Sequence, residues 1–255
     1  MTRMFLAALF TSVCSLAAPA ISTTAFAAEI RVLSAAGVRP VLIELGATFE
    51  RTTGHKLALR FVEGPLVKRE VEAGAQFDVA LTLMAVIDDL VKGGRIVPDT
   101  RVDFARGGLG VGVRAGTAKP DIGSVDSFKR TLLNAKSVTY AGEGATGIYF
   151  TKLLDRLGIA AEMKPKLKPM QSPAPLQAVA KGEAELVVGA ISPILATSGV
   201  ELAGPLPGEL QTYIRFAAGV GTAAKDVDAA RALVKFLTSP EAAQVITAKG
   251  MEPLK

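Results

Sequence analysis

From Ile30 onward the chain alternates short apolar runs with amphipathic stretches, and that alternation restricts it to an α/β fold with mainly parallel sheets. Ile30 to Ser34 is a compact β-type run. Val41 to Arg51 follows with helical spacing, placing Val41, Leu42, Leu45 and Phe49 on one face. Thr53-Gly54-His55 ends that helix, Lys56 to Val62 reads as a second strand, and Leu66 to Ala73 as a short charged helix closed by Gly74. Phe77 to Thr82 is the third strand, and Ala85 to Lys92 a helix that stops at Gly93-Gly94.

Beyond that point the pattern changes. Gly108 to Val113 is a glycine-alternating strand with no long helix before it. Ser127 to Asn134 (helix), Ser137 to Ala141 (strand), Gly147 to Leu157 (helix), Lys164 to Pro169 (strand), Pro175 to Lys181 (helix) and the apolar run Ala184 to Ile191 form another βα series. Gln211 to Gly219 is strand-like and leads into helices at Val227 to Leu237 and Pro240 to Lys249. Two such series joined by strand-like connections suggest two lobes, although the length also suits one large α/β domain. No internal repeat or low-complexity segment is visible.

The N-terminus reads as a targeting segment. Arg3 gives a positive start, Phe5 to Ile21 is apolar, and Ala25-Phe26-Ala27 supplies the small-x-small pattern of a cleavage site. As a membrane anchor the stretch is short, is broken by Pro19, and lacks a basic flank after it. Cys14 would suit a lipoprotein, but Thr11-Ser12-Val13 lacks the small residue expected just before a lipidated cysteine. The expectation is a signal peptide over residues 1–27, removed near Ala27 on the way to the periplasm, leaving 28–255.

Composition then removes several chemistries. The sole cysteine, Cys14, lies in the signal segment, so the mature chain has no disulfide, thiolate nucleophile or cysteine-bound metal. A single histidine, His55, rules out a multi-histidine metal site and reads as a helix-end residue. Neither a metal nor a cofactor is expected. The net charge of +5 becomes +4 without Arg3, and its basic residues are scattered apart from Lys164-Pro165-Lys166-Leu167-Lys168, which reads as one solvated face of a strand. With 5% aromatic residues and no tryptophan, a nucleic-acid stacking platform is not expected. Weak basicity fits attraction of a small anion equally well.

Specific residues carry a resemblance. Ala229-x-x-Leu233-x-x-Phe236-Leu237-Thr238-Ser239-Pro240-Glu241-Ala242-Ala243-Gln244 resembles the closing signature of type II periplasmic binding proteins, two helices with Ser239 as N-cap, Pro240 at the first position and Glu241 in the first turn. Glu50 to Gly54 is similar to the end of that family's first helix, and Gly182-Glu183-Ala184-Glu185 to the segment closing its second lobe. With the opening Leu33 to Ala36 and the helix start Gly147-Ile148-Tyr149, the order and length look most like the molybdate-binding, ModA-like receptors.

The resemblance implies two Rossmann-like lobes with a hinge and a ligand cleft between them. It places 28–110 with 215–255 in one lobe and 111–214 in the other. It further implies a monomer that binds a small anion, molybdate or a related oxyanion, and delivers it to the membrane permease of an ABC transporter, without catalysis. In such a fold ligands sit at the carboxyl ends of strands, where helix N-termini favour an anion.

Applied to this chain, the first loop is Ser34-Ala35-Ala36-Gly37, with Arg39 facing either cleft or solvent. Glu63-Gly64-Pro65 follows the second strand, and Glu63 would repel an anion if it pointed inward. Thr82 ends the third strand. Gly142 to Gly147, containing Ala145 and Thr146, has three glycines in six residues ahead of a helix, and Tyr149 either reaches the cleft or packs in the core. Ser192 closes the set, after Gly189-Ala190-Ile191.

The molybdate receptors present serines where Gly64 stands and a tyrosine near Ala190. Those differences open the alternative of a ligand with apolar parts, such as a small organic acid. A third reading is a secreted enzyme in which Glu63, Asp78 and Glu143 supply a carboxylate pair, provided the fold brings them together. The serine and threonine candidates have no evident histidine partner, and no Gly-x-Ser-x-Gly elbow occurs.

Overall fold

A computed structural model describes residues 27–254; the expected signal peptide and its expected cleavage point therefore lie outside the described residues, apart from Ala27. The chain opens with β1 (Glu29–Ala35), a 3-10 turn over Ala36–Val38 and α1 (Arg39–Thr53). Pro40 preorganises the first turn of α1, its apolar face buries Val41, Leu42, Leu45 and Phe49, and Gly54 at φ 78° ends it in a conformation that costs other residues more. His55 stands at that end as expected, stacked on Phe49 and accepting from the Ala28 N–H at 3.1 Å. Then come β2 (Lys56–Val62), α2 (Val67–Glu72), β3 (Val79–Leu83) and α3 (Met84–Lys92).

The glycine-alternating strand is longer than its apolar run predicts. β4 spans Val102–Arg114. After it lie α4 (Val125–Asn134), β5 (Val138–Ala141), α5 (Ala145–Arg156), α6 (Ala160–Met163) and β6 (Leu167–Met170). The basic cluster is thus not one strand face: Lys164–Lys166 form a 3-10 turn and only Leu167 onward pairs. Lys166 and Lys168 are also not simply solvated, since their ammonium groups bond the Leu133 and Glu183 carbonyls. α7 (Ala174–Lys181), β7 (Leu186–Ala190), α8 (Ile191–Ala196) and β8 (Val200–Pro205) complete this half. The chain closes with β9 (Tyr213–Val220), α9 (Val227–Phe236), α10 (Pro240–Ala248) and β10 (Glu252–Pro253). At the start of α10 the Ser239 side chain accepts from the Ala242 N–H at 3.1 Å, ahead of Pro240 at the first position.

The strands run in the order β2-β1-β3-β9-β4-β7-β5-β6, with β8 and β10 also on β4. β1 is parallel to β2 and β3, and β5 is parallel to β6 and β7. β4 belongs to both halves. Val102 to Gly108 pair with β9, whereas Leu109 to Val113 pair with β7. Each half has its own core. Val32, Leu45, Leu81, Phe104 and Leu233 lie in the first, and Val111, Phe128, Val138, Phe150 and Leu186 in the second. Among the described residues no helix is long and apolar enough to cross a membrane.

Candidate functional site

The strands of both halves direct their carboxyl ends toward one cavity of about 250 Å³. From the first half come Ala35, Ala36 and Gly37 after β1, Arg39 at the start of α1, Glu63 and Gly64 after β2, and Leu83 at the end of β3. The second half contributes Gly144, Ala145 and Thr146 at the start of α5, Ser172 and Pro173 before α7, and Ala190 and Ser192 after β7. Leu83, Leu176, Ile194 and Phe216 make much of the remaining wall apolar.

Several helix starts at this cavity have no side-chain cap, among them one from each half. Ala35 precedes the turn into α1, and Gly144 is the N-cap of α5; neither supplies a side-chain acceptor to the first N–H groups. Those groups have no partner within their own helix, so they are available to an anion. Ser192 adds a hydroxyl. It is 3% exposed, and its Oγ has no hydrogen-bond partner among the described residues. A buried hydroxyl without a partner costs roughly 1–3 kcal/mol, which a bound acceptor would recover.

Arg39 lines the cavity. Its guanidinium carbon lies 4.1 Å from the centre of the Phe61 ring, and among the described residues it forms no ion pair. Glu63 does point inward: it is 9% exposed, and its Oε1 accepts from the Ser172 N–H of the opposite half at 2.9 Å. Its partner had no signal in the sequence, because Ser172 contributes a backbone group rather than its side chain.

Three expected ligand residues stand elsewhere. Ser34 is fully buried and donates to its neighbour's carbonyl, Ala35 O, at 3.3 Å. Thr82, also fully buried, donates to Gly64 O at 2.9 Å and so braces the loop that lines the cavity. Tyr149 lies on the core side of α5, donating to Leu210 O at 2.7 Å. Alternation along a strand explains the first two: a residue one position from the loop faces the layer behind it.

The suggested carboxylate pair does not assemble. Of the three acids only Glu63 lines the cavity. Asp78 is 2% exposed and is bound by Arg31 and by the Lys225 N–H, while Glu143 is exposed to solvent. Among the described residues, no group of three or more metal-ligating side chains converges.

Comparison with known proteins places these features in a family. The model for bacterial extracellular solute-binding proteins matches residues 30–252. The molybdate-binding protein ModA of Azotobacter vinelandii is 33% identical over 252 residues, covering 93% of this chain and 95% of its own. An aconitate isomerase of a Pseudomonas species is 29% identical over 231 residues, 88% of each chain. The solved periplasmic molybdate-binding protein of Azotobacter vinelandii matches with a TM-score of 0.76 at 19% identity, covering 89% of this chain and 100% of its own.

Proposed function

The chain belongs to the bacterial extracellular solute-binding proteins, as a type II binding protein resembling the molybdate receptors, and from that premise we propose that it captures a small anion between its halves. In this reading 28–110 with 215–255 and 111–214 act as lobes that close on the ligand in the periplasm. The closed monomer then presents the ligand to the membrane permease of an ABC transporter. The observation that carries the anion is Ser192: a buried, unpartnered hydroxyl on a cavity that Arg39 and the uncapped turn after Ala35 also line.

Of the two ligand classes, an organic acid suits this cavity better than a bare tetrahedral oxyanion. A desolvated oxyanion needs donors all round, whereas Leu83, Leu176, Ile194 and Phe216 offer none and Glu63 offers an acceptor. Thermal melting with molybdate, sulfate, phosphate and a set of small carboxylates tests the proposal. A ligand at a hundred times its Kd stabilises the folded state by about 2.7 kcal/mol, roughly 5–10 °C for a chain of this size. Ser192→Ala should weaken the active ligand about 10-fold or more, as expected for a hydrogen bond to a charged group. No shift with any of these anions would end the receptor reading.

Glu63 favours one further reading, given the similarity to a protein named aconitate isomerase. Its carboxylate is placed to take a proton from a methylene beside a carbon–carbon double bond. The double bond then shifts, and the far carbon takes a proton back from the Glu63 carboxyl after that carboxyl has exchanged with solvent, with no oxidant or reductant needed. Proton NMR of cis- and trans-aconitate with the protein in D2O decides it. Interconversion with deuterium uptake, abolished by Glu63→Gln, marks the enzyme, and unchanged spectra leave a receptor alone.

A further inference from the structure

Glu63 leaves the end of β2 and carries its carboxylate across the cleft. Oε1 is taken by the Ser172 N–H at 2.9 Å, but Oε2 accepts no hydrogen bond from the described residues. That second oxygen lies beside Gly144, the N-cap of α5, where an added Cβ would stand only 2.7 Å away. The chain's own acid therefore occupies the part of the second half, around Ser172 and the start of α5, that would otherwise serve an incoming anion. Donors left for a ligand include Arg39, the turn at Ala36-Gly37, Ser192 Oγ and the hydroxyls of Thr146 and Ser172.

A ligand that is anionic at every polar atom would set an oxygen against Glu63 Oε2 with no proton between them. Like charges in a desolvated cleft repel more strongly than in water. A ligand carrying its own donor turns that conflict into a charge-assisted hydrogen bond. Glu63 is the sole carboxylate lining the cavity among the described residues. One acceptor oxygen matches the single proton of a hydroxyl, whereas an ammonium brings three donors that need acceptors.

Resting on the receptor reading above, we infer that the ligand is a hydroxy acid, with its carboxylate on the Arg39 and Ser192 side and its hydroxyl donating to Glu63 Oε2. Glu63 then sets specificity by rejecting oxyanions and acids that have no donor to offer it.

Isothermal titration of the mature protein with pairs differing by one hydroxyl tests this: lactate and propionate, malate and succinate, citrate and tricarballylate. In the pair whose size fits, the hydroxy acid should bind roughly 10- to 100-fold more tightly, the effect of one hydrogen bond to a charged group. Glu63→Gln should shrink that ratio to a few-fold, because the Ser172 N–H keeps the amide oxygen and the amide NH2 faces the ligand. It should also improve sulfate or molybdate binding.

If the glutamine variant does not fold, Glu63→Asp withdraws the acceptor and should narrow the ratio likewise. Equal affinities within every pair, tighter binding of alanine or aspartate than of lactate or malate, or a wild-type preference for molybdate each overturns the inference. Failure of every acid and oxyanion to bind removes the receptor reading instead.

Discussion

The Asp78 carboxylate is 2% exposed and takes four hydrogen bonds: Oδ2 from the Arg31 N–H and Nε, and Oδ1 from Arg31 Nη2 and the Lys225 N–H, all between 2.7 and 2.9 Å. It ties β1 to the segment before β3 and to the loop before α9. Burial alone would raise its pKa, but the Arg31 guanidinium and the two backbone donors outweigh that and hold it down to about 2 from 3.8. A carboxyl with a lowered folded pKa stabilises fully above its unfolded value and loses that contribution as the pH falls toward the folded one. About 1.4 kcal/mol per pH unit makes this roughly 2–3 kcal/mol, lost between about pH 4 and pH 2. In urea titrations the wild type should lose that stability across the window. Asp78→Asn should start lower and change less with pH there. Equal pH dependence in both proteins would remove Asp78 as the source.

At the scale of elements, Gly147 decides how α5 meets β5. A Cβ on Gly147 would stand 1.9 Å from Ala141 O and 2.9 Å from a Tyr140 ring carbon, so no side chain fits without moving the helix. Gly147→Ala should therefore cost about 1–3 kcal/mol by overpacking, several degrees in Tm for a chain of this length. It should weaken anion binding as well, because the start of α5 lines the cavity. A Tm within a degree of wild type would contradict this packing.

Elements with a clean period were legible in the sequence. α1 and α10 carry apolar faces with start and stop signals, and the parallel strands β1, β2 and β3 are bounded by turns. What escaped had no such signal. β8, with Gly204 and Pro205 at its end, lacks a long apolar run, and the first half of β4 mixes Asp103 and Arg106 among its strand residues. α8 has six residues, too few to establish a helical period. In the site, loops were legible but orientations were not. Ala35, Ala36, Arg39, Gly64, Ala145, Thr146 and Ser192 line the cavity, whereas Ser34, Thr82 and Tyr149 turn into the protein. A one-residue step reverses the face of a strand, and composition carries no trace of it.

In the whole molecule the two halves meet along the cavity and at two chain crossings, and one side chain joins the crossings. Gln211, just before β9, accepts from the Leu109 N–H through Oε1 and donates to Leu109 O through Nε2, both at 2.9 Å. Leu109 is where β4 changes partners, since Gly108 pairs with Tyr213 of β9 and Leu109 with Ala190 of β7. The Gln211 amide thus adds two hydrogen bonds where β4 changes partners, and under the proposed closure of the halves it would hold their relative angle. Gln211→Ala removes both bonds, a loss of about 1–2 kcal/mol, and frees the crossing to rotate. In the proposed closure, apparent affinity scales with the fraction of molecules able to close, so a crossing held less firmly should raise Kd in proportion. The variant should melt several degrees lower and bind the active ligand several-fold more weakly. Small-angle scattering should show a larger radius than wild type without ligand, with compaction restored at saturation. Unchanged affinity with unchanged ligand-free dimensions would show that the angle is set instead by contacts across the cavity, among which the Glu63–Ser172 bond is the next to remove.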